Sequence, residues 1–114
     1  MAGYVDIYLL PVPKSNIAEY REQALAFGAV AKEYGAIRYR EFRADDLGKG
    51  FTTAAPNGNL LTAAVVDFDS REHRDEVMNK VMRDERIKAM GESSDEIADM
   101  SHMRYGGFET FVEA

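Results

Sequence analysis

Nine consecutive residues, Leu60 to Phe68 (LLTAAVVDF), are apolar at odd and even positions alike, with Thr62 and Asp67 the only exceptions. Successive side chains of a strand point to opposite sides of its sheet, so this strand needs cover on both faces and belongs at the centre of a sheet. A chain of 114 residues can bury such a strand without metals or disulfides, and it leaves no room for a second full domain. The reading is one domain over residues 1–114.

Three further segments complete a sheet. Tyr4 to Leu10 (YVDIYLL) sets Val5, Ile7 and Leu9 on one face and Tyr4, Asp6, Tyr8 and Leu10 on the other, and Pro11-Val12-Pro13 ends it. Ala36 to Phe42 places Ile37, Tyr39 and Glu41 opposite Arg38, Arg40 and Phe42. Met103 to Val112 is the last strand, in which Gly106-Gly107 mark a bulge or a close backbone approach. Ile17, Tyr20, Ala24, Phe27, Ala31 and Tyr34 step by three and four, which predicts a helix with Asn16 and Glu19 at capping-box spacing and Gly35 as its stop. Asp69 or Ser70 caps a second helix that buries Val77, Met78, Val81 and Met82; Asp84 caps a short turn through Met90, and Glu92 to Ser101 reads as a polar loop. Residues 44–59 read as a long connection. The order is that of an α+β, ferredoxin-like βαββαβ chain, an antiparallel sheet with two helices on one face.

The second face is apolar as well. Left exposed, it would present a patch of several hundred Å², and a second copy with two-fold symmetry is the simplest cover. A homodimer is therefore expected, the partner being the chain itself. Asp6, Glu41 and Asp67 interrupt otherwise apolar strands, and a carboxylate so placed must be paired, hydrogen-bonded or protonated. Arg38, Arg40 and Arg104 are the available partners. The carboxylates either make ion pairs between strands or line a ligand cavity.

Several chemistries are excluded. Without cysteine there are no disulfides, thiolate nucleophiles, iron–sulfur clusters or zinc sites built on sulfur, and the chain fits a reducing cytoplasm. Two histidines, His73 and His102, cannot build a three-histidine centre in one subunit. Gly48-Lys49-Gly50-Phe51-Thr52-Thr53 lacks the ending of a phosphate loop, and Asp45-Asp46 before Gly48 lacks the alternating ligands of a calcium loop. No cofactor and no metal are expected. Twenty acidic against 14 basic residues, a formal charge of -6, work against binding a phosphate backbone, and Glu41, Asp45 and Asp46 interrupt the Arg38, Arg40, Arg43 patch. No nucleic acid is expected. The N-terminus lacks the pattern of a signal peptide and no apolar run reaches the ~18 residues of a span, so a cytoplasmic chain without membrane partners is expected. Met78, Met82, Met90 and Met103 read as filling for an uneven core.

No motif names a reaction. The residues with the chemistry to line a pocket or move a proton are Asp6, Tyr8, Tyr39, Glu41, Asp67, His73 and Tyr105. The main reading is a small protein that binds an apolar or aromatic molecule. The alternatives are a cofactor-independent enzyme, monooxygenase-like or isomerase-like, and a non-catalytic structural dimer. A connected pocket of at least ~300 Å³ reached from solvent separates them.

The chain resembles the domain-of-unknown-function family 1428, small bacterial proteins. The resemblance rests on Tyr4-Val5-Asp6 with Leu10-Pro11-Val12-Pro13-Lys14, Tyr39-Arg40-Glu41 with Ala44-Asp45-Asp46, Ser70 to Asp75 with Asn79-Lys80-Val81-Met82, and Arg104 to Phe108. It implies a dimeric α+β barrel, in which two ferredoxin-like subunits join their sheets around an internal space. Proteins of that wider fold include monooxygenases acting without a bound cofactor on aromatic polyketides, haem-processing enzymes and lactone isomerases. A shared fold transfers no reaction, and the resemblance implies no catalytic residues.

Overall fold

The computed structural model describes residues 3–51 and 54–114. Strands β1 (Tyr4–Val12), β2 (Arg38–Arg43), β3 (Leu60–Phe68) and β4 (Arg104–Glu109) form one antiparallel sheet in the order β2-β3-β1-β4, which resembles ferredoxin-like topology. Helices α1 (Ile17–Glu33), α2 (Arg71–Arg83), α3 (Glu85–Gly91) and α4 (Ser94–Ile97) lie between strands in sequence. The two-sided strand β3 is an inner strand, paired with β1 from Tyr4↔Phe68 to Val12↔Leu60. Phe68, Val66, Val30, Ala31, Val77, Val81 and Ile87 form the main core between sheet and helices. Burying Phe68 alone contributes about 1.5–3 kcal/mol.

The expected dimeric α+β barrel is not what this sheet forms. A barrel closes when its first and last strands hydrogen-bond to each other. Among the described residues β2 pairs only with β3 and β4 only with β1, which leaves an open sheet with two edges.

The helical layer is also larger than two helices. The segment read as a polar loop contains α4, anchored by buried Ile97 and Ala98. Ala98 joins Leu10 and Val12 in a second apolar cluster with Met100 and Met103. The polar run Glu92 to Glu96 masks this short anchor in the sequence.

β1 runs on through Pro11. The Pro11 carbonyl accepts from the Asp99 backbone N–H at 2.9 Å, and in a strand a residue's N–H and C=O point to the same side. The N–H that proline lacks would therefore face Asp99, and its loss costs no bond to β3. β4 pairs with β1 without a bulge, from Tyr4↔Glu109 to Leu9↔Arg104. Its second glycine serves a close approach, because a Cβ on Gly107 would overlap the Tyr4 hydroxyl.

Helix ends follow the sequence with one exception. The Ser70 hydroxyl accepts from the His73 N–H at 3.0 Å, and the Asp84 carboxylate from the Arg86 N–H at 2.8 Å. Gly35 ends α1 at φ 116°, a conformation open to glycine. Asn16 does not cap α1; its amide instead donates to the Glu96 and Ile97 carbonyls at 3.2 and 3.1 Å, tying α4 to the start of α1.

The far face of the sheet carries half-buried Val5, Ile7, Leu9, Ala63 and Val65, with Phe42 and Phe108 exposed. Among the described residues no helix is long and apolar enough to cross a membrane.

Candidate functional site

Strand register determines which side chains meet on the helix side. Tyr105, Tyr8, Ala64 and Glu41 are cross-strand partners in one row over all four strands, and Gly107, Asp6, Val66 and Tyr39 form the adjoining row. Neighbouring strands are ~4.8 Å apart, so the first row has large side chains towards its ends and a methyl group in its middle. The hollow over Ala64 opens into a cavity of about 700 Å³ between sheet and helices. From α1 it receives Tyr20 and Phe27, and from α2 Arg74, Met78 and Met82; Met90, Met100 and Met103 complete a flexible apolar roof. Met82 and Tyr105, 58% and 71% exposed, mark its solvent side. On the floor the Tyr8 and Tyr105 rings stack at 5.6 Å with 15° between planes.

Two carboxylates face this cavity in different company. Asp6, only 4% exposed, is ion-paired with the Arg74 guanidinium. Arg74 also donates to Asp75 at 2.7 Å and lies 5.0 Å over the Tyr4 ring. Burial pushes the Asp6 carboxyl up, and the charge of Arg74 opposes that rise. Glu41 accepts from the Tyr20 hydroxyl at 3.0 Å and from the Tyr39 hydroxyl. Among the described residues no cation lies within ion-pair distance of it. Burial pushes Glu41 above its ordinary value as well, against the pull of the two phenols.

The phenols remain protonated donors. Burial, then the charge of Asp6, pushes Tyr8 up to about 12. Burial and Glu41 hold Tyr39 and Tyr20 well above the ordinary tyrosine value. Tyr39 reaches its place because α1 carries Gly28 opposite it; a Cβ there would stand 2.6 Å from the Tyr39 ring. Thr62 extends the chain of polar groups, donating to the Leu10 carbonyl at 2.8 Å and lying 3.5 Å from the Tyr20 hydroxyl.

A second cavity, a groove of about 970 Å³, follows α1 along the outer edge of β2, with Arg21, Lys32, Arg38 and Arg43 among its lining. It shares Tyr20, Ala24, Tyr39 and Glu41 with the first. The Glu41 cluster therefore stands between the two. The smaller cavity is the better candidate site although the groove is larger, because Asp6, Glu41 and the stacked tyrosines all face it.

Asp6, Tyr8, Tyr39, Glu41 and Tyr105 of the residues singled out from the sequence line this cavity. Asp67 does not: it points to the far face, 3.8 Å from Arg40. His73 does not either. Its Nδ1 accepts from the Asp69 N–H at 3.0 Å, and its ring meets Phe68 edge-on. Of the arginines expected to pair with the carboxylates, Arg40 approaches Asp67, whereas Asp6 takes Arg74. Arg74 and Tyr20 are the functional candidates missing from the sequence reading. A signal was present, since Arg74 precedes Val77, Met78 and Val81 by three, four and seven residues and so shares their helical stripe. Among the described residues no three His, Asp or Glu side chains converge as metal ligands would.

Comparison with known proteins adds kinship. The family described as Protein of unknown function (DUF1428) matches residues 3–100. Uncharacterized protein YbaA of Escherichia coli (strain K12) is 34% identical over 116 residues, covering 96% of this chain and 97% of that one. Among solved structures, a mutant of SnoaB, a cofactor-independent oxygenase from Streptomyces nogalater, superposes with TM-score 0.66 at 12% identity, covering 98% of this chain and 95% of that one. A dimeric ferredoxin-like protein from an uncultured marine organism superposes with TM-score 0.61 at 12% identity, covering 100% and 92%. At such identities the structural likeness shows the fold alone.

Proposed function

The chain belongs to the family described as Protein of unknown function (DUF1428), and from its own geometry we propose that the cavity over Ala64 binds a small apolar or aromatic molecule and acts on it without a cofactor, in an oxygenase-like or isomerase-like way. The observation that carries this reading is the cavity itself. About 700 Å³ of mostly apolar space with two carboxylates on its floor is the composition of a small-molecule site, well above the ~300 Å³ such sites need. A packed, purely structural interior would leave no such space. Resemblance in fold to a cofactor-independent oxygenase supports the reading by analogy only. Asp6, Tyr8, Tyr39, Glu41 and Tyr105 are the residues assigned to the site.

The far face supports a second element of the proposal. Val5, Ile7, Leu9, Ala63 and Val65 with exposed Phe42 and Phe108 suit a homodimer meeting through this face. The absence of cysteine suits a reducing cytoplasm, where we place the protein.

Fluorescence titration with 2-naphthol tests the binding. One-to-one saturable binding is expected, weakened roughly tenfold or more (about 1.4 kcal/mol) in Ala64→Phe, whose ring fills the hollow. Failure of 2-naphthol to bind, or binding indifferent to Ala64→Phe, would contradict the reading.

A further inference from the structure

We infer that the hollow over Ala64 is a site for removing a proton from the carbon beside a carbonyl, with Glu41 as the base and the Tyr8 hydroxyl as the donor to the resulting enolate oxygen. This rests on the small-molecule reading of the cavity and names its substrate class: flat, mostly apolar ketones with an acidic α C–H.

Register carries the first part of the argument. Tyr8 and Glu41 are the partners of Ala64 on its two neighbouring strands, so their backbones stand roughly 10 Å apart with only a methyl group between them. A carbonyl and its α carbon, lying over that methyl, have on one side the Tyr8 hydroxyl, which also faces the Asp6 carboxylate, and on the other the Glu41 carboxylate.

The company of the two carboxylates carries the second. Asp6 is held in an ion pair with Arg74, and protonating it would leave a half-buried guanidinium to exposed Asp75 and the face of the Tyr4 ring. Glu41 is held by two phenol donors and, among the described residues, by no cation. Taking up a proton there removes a buried charge instead of creating one. Two hydrogen bonds occupy only half of a carboxylate's acceptor positions, so room for the proton remains. Tyr39, fixed by its contact with Gly28, and Tyr20 are positioning residues for Glu41.

The step is redox-neutral and balanced. The α C–H bond breaks, its electron pair forms the enolate C=C, and the carbonyl π pair moves onto oxygen, where the Tyr8 O–H donates. The proton ends on the Glu41 carboxyl. Its return, to the same carbon or to another conjugated one, restores the carboxylate and gives exchange or isomerisation.

Deuterium incorporation at C1 of 2-tetralone, followed by proton NMR in D₂O with the full chain, tests this, and saturation-transfer NMR on the same sample reports binding. Exchange above the buffer rate is expected. Glu41→Gln should lower it roughly 100-fold or more while binding is kept, Tyr8→Phe should lower it about tenfold, and His73→Gln should leave it unchanged. Ala64→Leu, which occupies the hollow and leaves Glu41 in place, should abolish exchange and serves if Glu41→Gln does not fold. Bound 2-tetralone that exchanges at the buffer rate, or equally fast in Glu41→Gln, overturns the inference and leaves the binding reading standing; no binding at all overturns both.

Discussion

The two faces of the sheet start from similar ingredients and end in different physical states. On the helix side, Asp6 and Glu41 lie under four helices with Arg74, Tyr20 and Tyr39 as partners. On the far side, Asp67 stands one residue from buried Val66 yet is part-exposed, with Arg40 at 3.8 Å and Arg38 as its cross-strand partner. Strand parity alone separates them, since each step along the chain moves a side chain to the other face. What differs is the layer above: on one side the helices bring Arg74 and Tyr20 to the carboxylates, and the other side carries an apolar surface with charges at its margins.

The largest expected contrast is in packing. Phe68→Ala, 2% exposed on the helix side, should cost about 3–5 kcal/mol in urea unfolding, whereas Val65→Ala on the far face should cost about 1 kcal/mol. Equal losses would mean that the far face is as well packed as the core. Next come the carboxylates. Asp6→Ala leaves the Arg74 charge half-buried and should cost about 3 kcal/mol; Asp67→Ala should stay within about 1 kcal/mol. The reverse order would place the important ion pair on the wrong face.

Gly28→Ala probes the cavity with a smaller effect. The helix gains up to about 1 kcal/mol from alanine, but the new Cβ must push the Tyr39 ring aside, an overpacking cost of about 1–3 kcal/mol. Net destabilisation is expected, together with weaker 2-naphthol binding. Stability above that of the parent chain would show that the Tyr39 ring has room to move.

The smallest effect is in pH dependence. Glu41 in the folded chain titrates above its ordinary value of 4.5, so the folded state holds this proton more tightly than the unfolded one. The stability so contributed is full below the unfolded value and is lost as pH rises through the folded one. Urea unfolding between pH 4 and 8 should therefore show a downward component that Glu41→Gln removes. An identical profile in the variant would mean that Glu41 is better solvated than its surroundings indicate.

Much of this was legible in the sequence because strands have a strict period. The alternation of YVDIYLL sets Asp6 and Tyr8 on one face, and that of β2 sets Tyr39 beside Glu41; both pairs line the cavity. Asp67 is different, because strand parity is readable in a sequence but the face that the helices cover is not. Helices are harder still. His73 and Arg74 are adjacent in sequence, yet a turn of 100° per residue sends one to Phe68 and the other to Asp6. Met78, Met82, Met90 and Met103 pack as their positions predict, but around a cavity, a distinction that depends on how far the helices stand off the sheet. The barrel failed for a related reason: composition can require that a face be covered, but it does not say that strands close upon one another.

A crystal structure of the protein soaked with 2-naphthol would show whether the helix side, over Ala64, is the working face. The ligand should lie over Ala64, against the Tyr8–Tyr105 stack and within reach of Glu41. A ligand seated instead on the far face, against Ile7 and Val65, would contradict the account.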